Sequence, residues 1–147
     1  MSGLRLEDRG KPSHVYFVVM CGQRRFLKVG IALNIQRRMR DLKNYMPMAR
    51  CRLVHSVVRP NRFQARQLEA AILFWFRDKR VNGSEWVEID DEVRGFLRRI
   101  KSGEQMEPTI FRGAAKMATR PFDKYYRDAM LELARAHELA ALDARAA

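Results

Sequence analysis

The sequence has few cysteines and no long apolar run. Its two cysteines, Cys21 and Cys51, are too few for the disulfide framework of a small secreted domain. The longest apolar runs span about seven residues, far short of the ~18 residues that cross a bilayer as a helix. Residues 1–8 also lack the apolar segment of a signal peptide. We therefore expect a cytoplasmic protein that has no membrane partner.

Acidic residues are scarce as well. The chain of 147 residues has 17 Asp and Glu against 29 Lys and Arg, which gives a net charge of +12. The excess is concentrated, because residues 1–104 carry +11 of this charge. A positive charge of this size favours a polyanionic partner such as DNA. The alternative is charge that serves only solubility.

The pattern of apolar residues predicts a hairpin followed by alternating helices and strands. Residues 15–20 and 26–29 are apolar runs, rich in β-branched and aromatic residues, on either side of a turn centred on Gly22. The second strand is expected to end at Gly30, and Asn34 to cap the helix that follows. The later elements are a strand over residues 51–58, a helix over 62–79, a strand over 84–89, a helix over 90–100, an irregular segment over 104–120 and a helix over 121–146.

This order of elements predicts a small α+β layer fold. We divide the chain into a flexible lead-in over residues 1–12, a domain over 13–103, and a linker with a C-terminal helix over 104–147. Docking on the domain, homodimerisation and binding of a partner protein are all compatible with the apolar stripe of that last helix. The stripe consists of Phe122, Tyr126, Ala129, Leu133, Ala136 and Ala140.

Four polar residues interrupt the apolar patterns. A hairpin centred on Gly22 places Tyr16 directly across from Lys28 on one face of the sheet. Arg38 borders the apolar face of the first helix, so it is expected to approach that pair. Glu69 falls within the apolar arc of the second helix, where a carboxylate is costly unless it is paired or binds a metal. By spacing alone, an ion pair to Arg38 or Lys28 and a metal site are both open.

The two predicted hairpin strands resemble the paired tripeptides of the GIY-YIG endonuclease superfamily. Tyr16, within Val-Tyr-Phe, matches the tyrosine of the first tripeptide. Gly30, within Lys-Val-Gly, matches the glycine of the second. Lys28 stands where the second tyrosine usually lies, as in lysine-bearing members of the superfamily.

The resemblance continues to about residue 89. Arg38 matches the essential helix arginine, and Glu69 resembles the metal-binding glutamate. Residues 83–87, Gly-Ser-Glu-Trp-Val, are similar to the Gly-Glu-Trp-Phe signature of a lysine-bearing phage branch, with Ser84 inserted. Whether Asn82 or Glu85 supports the site is left open by this insertion.

The resemblance implies a metal-dependent DNA endonuclease, encoded by a phage or mobile element, whose central sheet is mixed or antiparallel and flanked by helices. Arg38 would stabilise charge on the phosphate, and Glu69 would bind one Mg²⁺ or Mn²⁺. Tyr16 would orient or deprotonate the attacking water, with Lys28 favouring its phenolate. The basic residues expected to contact DNA are Arg24, Arg25, Arg37, Arg40 and Lys43.

Two other classes of function remain. In a non-catalytic DNA-binding module, Tyr16 is a strand aromatic and Lys28 a phosphate anchor. An interaction protein that recruits a partner through its C-terminal helix needs no intact site.

Overall fold

The computed structural model describes residues 10–22, 25–45 and 50–146, apart from the side chain of Cys21. Its four strands are β1 Ser13–Cys21, β2 Phe26–Ala32, β3 Arg50–Arg59 and β4 Trp86–Glu88. They form one sheet in the order β3-β1-β2-β4, and each neighbouring pair is antiparallel. The predicted α+β class is confirmed, and the sheet is antiparallel rather than mixed.

Five α-helices accompany the sheet in the described residues. They are α1 Ile35–Tyr45, α2 Arg62–Trp75, α3 Asp91–Lys101, α4 Glu107–Met117 and α5 Lys124–Ala146. Short 3-10 turns follow α2 at Arg77–Lys79 and precede α5 at Pro121–Asp123. Within these residues, no helix combines the length and the apolar character needed to cross a membrane.

Side-chain caps fix where three of the helices begin. Asn34, Asn61 and Asp90 each accept a hydrogen bond, at 2.8–3.0 Å, from the backbone N–H three residues later. The predicted cap at Asn34 is therefore confirmed. Burial opposes ionisation of Asp90, but the N–H of Val93 and the ammonium of Lys79 outweigh it and lower the pKa of that carboxyl. The Lys79 Nζ lies 3.1 Å from its Oδ2.

The hairpin register differs from the prediction. Tyr16 pairs with Gly30, and Val18 pairs with Lys28. The predicted Tyr16–Lys28 pair is wrong because the observed strand pairs are centred one residue later along the chain than predicted, which shifts each partner by two residues. The second strand also continues past Gly30 to Ala32. Because side chains alternate along a strand, a shift of two leaves Tyr16 and Lys28 on the same face.

The two faces of the sheet bury different helices. Phe17 on β1 and Leu27 on β2 belong to the main core, which joins one face to α2, α3 and α4. The Phe17 ring packs against Phe96 of α3 with centroids 5.7 Å apart. On the opposite face, a smaller cluster joins the sheet to α1 through Tyr16, Val18, Ala32 and Leu42.

The prediction of an irregular segment over residues 104–120 is wrong, because α4 occupies most of it. Pro108 lies in the first turn, where a helix needs no backbone N–H from that residue. Gly113 lies against Trp75 of α2 so closely that a Cβ there would be 2.4 Å from the indole Cδ2. The buried side of α4 comprises Ile110, Phe111, Ala114 and Ala115. Packing against α2 therefore stabilises α4, although its proline and glycine do not predict a helix from the local sequence.

The C-terminal helix α5 docks on the domain. It buries Met130 and Ala134, and Tyr126 lies against Phe74 of α2 with ring centroids 4.6 Å apart. The predicted stripe is partly wrong, because four of its members face solvent: Phe122, Ala129, Ala136 and Ala140. The spacing of the alanines did not identify the buried face of α5, because contact with α4 sets that face. Phe111 of α4 stacks on His137 of α5 with ring centroids 5.5 Å apart.

The predicted division of the chain at residue 103 stays a prediction. The side chains of α4 share the main hydrophobic core with the sheet. Of the predicted lead-in over residues 1–12, residues 1–9 lie outside the described part of the chain.

Candidate functional site

Tyr16 lies on the inner strand β1, on the sheet face that packs against α1. Its side chain is 2% exposed, and its ring covers the backbone of Gly30 on the neighbouring strand. A Cβ at position 30 would lie 2.3 Å from both the Cζ and the Oη atoms of the tyrosine. The match to the glycine of the second tripeptide therefore has a steric reason: only a residue without a side chain leaves room for the ring.

The environment of Tyr16 keeps its phenol protonated. Burial raises the pKa of Tyr16 to about 12; Arg38 opposes the rise, and Glu85 and Glu69 add to it. The sequence interpretation assigned the opposing positive charge to Lys28. In the structure Arg38 is the cation that opposes the rise, and the Lys28 ammonium contacts Glu85. An effect of Lys28 on the phenol stays a prediction.

Lys28 binds the carboxylate of Glu85. Its Nζ donates to Oε2 at 2.9 Å and lies 5.6 Å from the centroid of the Trp86 ring. The pairing of Lys28 with Trp86 across β2 and β4 places the ammonium beside the residue that precedes the tryptophan. Of the two candidates left open by the sequence, Glu85 joins the site, while Asn82 is an exposed turn residue with φ 49°.

The inserted Ser84 helps to shape this turn. Its hydroxyl accepts a hydrogen bond from the Trp86 backbone N–H at 3.2 Å. Arg80 donates from Nε to the Ser84 carbonyl at 2.8 Å and from Nη2 to the Gly83 carbonyl at 2.9 Å. The insertion is thereby accommodated within a hydrogen-bonded turn, and the Glu85 carboxylate still reaches Lys28.

Glu69 contributes a half-buried carboxylate from α2. Burial raises its pKa, Glu85 raises it further, and Arg66, Lys28 and Arg62 act in the opposite direction. No hydrogen bond or ion pair joins this carboxylate to another residue in the described ranges. The ion-pair interpretation is therefore wrong, because Lys28 binds Glu85 and no ion pair forms with Arg38.

Arg38 completes the constellation from α1. Its side chain is exposed, and its charge acts on both Tyr16 and Arg62. Across the part of the chain that is described, its guanidinium has no carboxylate partner within ion-pair distance. We call the group of five residues that interact here the candidate site: Tyr16, Lys28, Arg38, Glu69 and Glu85.

Two basic residues near the candidate site were missed by the sequence interpretation. Arg62 and Arg66 act electrostatically on Glu69, and all three lie on α2 at a spacing of four and then three residues. That spacing places them on one helix face and is visible in the sequence. It gave no distinct signal because arginines flanking an apolar arc normally face solvent.

The predicted DNA contacts have different outcomes. Arg24 lies outside the described residues. The remaining four are exposed, one before β2 and three on α1: Arg25, Arg37, Arg40 and Lys43. Their exposure is compatible with a DNA-binding surface, and their contact with DNA stays a prediction.

The described residues contain no cluster of three or more His, Cys, Asp or Glu side chains suited to a metal ion. The candidate site instead offers Glu69 with a second carboxylate, Glu85, in its electrostatic range. An all-protein metal cage is therefore not present in this part of the chain.

Comparison with known proteins gives one result. The T5orf172 domain, a phage-associated domain of nuclease-like type, matches residues 13–101. Neither the curated proteins nor the solved structures give a significant match. The matched range includes every residue of the candidate site and more than half of the chain. A phage-type nuclease or DNA-binding module is the function class that this match supports. The chain belongs to the T5orf172 domain family.

Proposed function

We propose that the protein is a metal-dependent DNA endonuclease of the GIY-YIG type, encoded by a phage or mobile element. The observation that carries this proposal is the half-buried carboxylate of Glu69, which has no hydrogen-bond or ion-pair partner in the described residues although Lys28, Arg62 and Arg66 act on it electrostatically. A carboxylate in such a position is costly unless a ligand uses it. The net charge of +12 favours a polyanionic substrate.

The chemistry of Glu69 fits a hard divalent cation such as Mg²⁺ or Mn²⁺. Burial and repulsion from Glu85 both raise its pKa, and a bound cation would relieve both effects. Mg²⁺ in particular is commonly held by one or two carboxylates with waters in its remaining positions. When bound, the cation supplies a polarised water and stabilises charge on the phosphate.

Arg38 is suited to the phosphate itself. Its guanidinium is permanently charged and can fork onto two phosphate oxygens. Because α1 presents it without an ion pair to a described carboxylate, no internal contact must be broken when a phosphate arrives. Negative charge on the phosphate peaks in the transition state, so this contact contributes most when it accelerates the reaction.

Tyr16 is suited to orienting the attacking water. With a pKa of about 12, its phenol is protonated at neutral pH and is therefore a hydrogen-bond donor and acceptor rather than a base. Burial and the contact with Gly30 hold the ring in one position. The raised pKa thus favours the orienting role over the deprotonating role.

Lys28 adds a second cation whose position is fixed by Glu85. The 2.9 Å ion pair holds the ammonium beside Trp86, and the charge of Lys28 also acts on Glu69. We assign to Lys28 the task of keeping Glu69 ionised and attracting the DNA backbone. Glu85 is then a positioning residue that acts through Lys28.

A plasmid-nicking assay tests this proposal. Wild-type protein should nick supercoiled DNA with Mg²⁺ or Mn²⁺ and not with EDTA. Glu69→Gln, which is nearly isosteric, should abolish nicking while DNA affinity stays equal or rises, since one repelling carboxylate is gone. Glu132→Gln removes an exposed carboxylate on α5 and is the matched control, with wild-type nicking expected.

Two results would contradict the endonuclease assignment. Nicking by wild type and Glu69→Gln alike would indicate a contaminating nuclease. Equal loss of nicking and DNA affinity in a folded Glu69→Gln protein would show that Glu69 is structural. A third result, salt-dependent DNA binding without any nicking, would instead support a non-catalytic DNA-binding module.

A further inference from the structure

Two arginines of α2, Arg62 and Arg66, act electrostatically on Glu69, and neither has a role in the proposed chemistry. Arg62, Arg66 and Glu69 leave the same face of α2, because four and three residues separate them. Arg38 approaches from α1, since its charge acts on Arg62 as well as on Tyr16. Arg62 is therefore affected by positive charges from two different helices as well as by the Glu69 carboxylate.

Arg62 and Arg66 form no ion pair, unlike several other arginines of the described residues. Arg59, Arg94 and Arg99 each contact a carboxylate at 2.7–3.3 Å. Arg62 and Arg66 form no ion pair or side-chain hydrogen bond with another residue in the described segments. The Nε atom of Arg62 is buried without a hydrogen-bond partner there, as is that of Arg59, but Arg59 uses its Nη atoms to bind Glu107 and Gln64.

The cost of this arrangement is visible in the electrostatics of Arg62. Burial lowers its pKa, and repulsion from Arg66 and Arg38 lowers it further, while Glu69 acts in the opposite direction. Like charges gathered without internal partners oppose folding. A bound anion would remove the repulsion and supply the missing acceptor for the buried Nε.

We propose that Arg62 and Arg66 form a phosphate clamp that binds the DNA backbone next to the phosphate held by Arg38. The proposal rests on the endonuclease function in taking DNA as the anion. Four residues advance a helix by ~6 Å, so the two guanidinium groups can reach different phosphates of one strand. Arginine suits this task because its planar fork matches phosphate oxygens.

The clamp predicts a defined change in the salt dependence of binding. Each neutralised phosphate contributes about −0.9 to the slope of log affinity against log salt. Replacing both arginines, as in Arg62→Gln with Arg66→Gln, should make the slope shallower by about 1.8. Fluorescence anisotropy with a labelled duplex between ~50 and ~200 mM salt, in EDTA to prevent cleavage, measures this slope.

The matched control removes the same charge elsewhere. Arg98 on α3 and Arg135 on α5 are exposed and lie outside the candidate site. Arg98→Gln with Arg135→Gln should leave the slope within about 0.3 of wild type, since a phosphate contact changes it by about 0.9. If Arg62→Gln prevents folding, as judged by circular dichroism, Arg66→Gln alone tests an exposed side chain and should change the slope by about 0.9.

The outcomes separate the clamp from the endonuclease. A slope change confined to the α2 arginines supports the clamp, even in a protein that never nicks DNA. An unchanged slope, or one altered as much in the control, overturns the clamp, even in a protein that nicks DNA well.

Discussion

The contact between Tyr16 and Gly30 gives the sharpest test of the site geometry. In Gly30→Ala, the new Cβ would lie 2.3 Å from the Cζ and Oη atoms of Tyr16, whereas ordinary contacts begin at 3.4 Å. The tyrosine tip must therefore move by about 1 Å, or the strands must separate. The ring is buried and rigid, so it cannot bend aside as a flexible chain would.

The expected cost follows from overpacking. Gly30→Ala should lower the free energy of unfolding by about 1–3 kcal/mol. In a Tyr16→Ala background the ring is absent, and the same substitution should raise the free energy of unfolding by about 0.5–1 kcal/mol, because alanine is less flexible than glycine in the unfolded chain. The sign therefore reverses between the two backgrounds, a coupling of about 1.5–4 kcal/mol.

Urea unfolding of the four proteins in this double-mutant cycle measures the coupling. Gly95→Ala is the control glycine substitution, since no atom lies within 4 Å of the position that a Cβ would take there, inside α3. It should stabilise the protein by about 1 kcal/mol in both backgrounds. If Gly30→Ala has the same effect with and without the tyrosine ring, the close contact is refuted. A displaced ring should also lower nicking by up to about 10²-fold.

Substitutions at two further positions, Lys28 and Asp90, test the charges around the site and the capping of α3. Lys28→Met removes the cation that opposes the raised pKa of Glu69, so nicking should fall and its acidic limb should move to higher pH; unchanged nicking would contradict the role of Lys28. Asp90→Ala should cost about 0.5–2 kcal/mol and Asp90→Asn less, since asparagine still caps α3. Because folding lowers the pKa of Asp90 from its ordinary 3.8, its stabilisation is present above that pH and is lost as pH falls through the folded-state pKa. Equal urea midpoints for both Asp90 variants would contradict the capping role.

Most of the fold was predictable because its signals are local. Strand alternation and the caps at Asn34, Asn61 and Asp90 depend on a few neighbouring residues. The hairpin register was not predictable in the same way, because moving the centre of the hairpin by one residue shifts every pair by two. The helix α4 was missed because Pro108 and Gly113 resemble breakers until the contact with α2 is known.

The candidate site was predictable where a motif named its residues. Tyr16, Arg38 and Glu69 came from tripeptide and helix positions, and the fold places Arg38 and Glu69 within electrostatic range of Tyr16. The sequence left open whether Asn82 or Glu85 supports the site, because Ser84 is inserted into the signature. Arg62 was not predicted as a site residue, because the charge that acts on it from another helix belongs to Arg38 of α1. A local sequence pattern cannot show such a contact between helices.

The family match ends at residue 101, but the support of α2 continues beyond it. Trp75 of α2 lies against Gly113 of α4, and Phe74 of α2 lies against Tyr126 of α5. Both C-terminal helices therefore pack against the helix that carries Glu69. A protein shortened to residue 101 would expose the apolar side chains of Phe74 and Trp75, and α2 would be free to shift. The position of Glu69 on one side of α2 therefore depends on residues of α4 and α5 that pack against the other side. A substitution such as Gly113→Ala should lower both the free energy of unfolding and the rate of nicking.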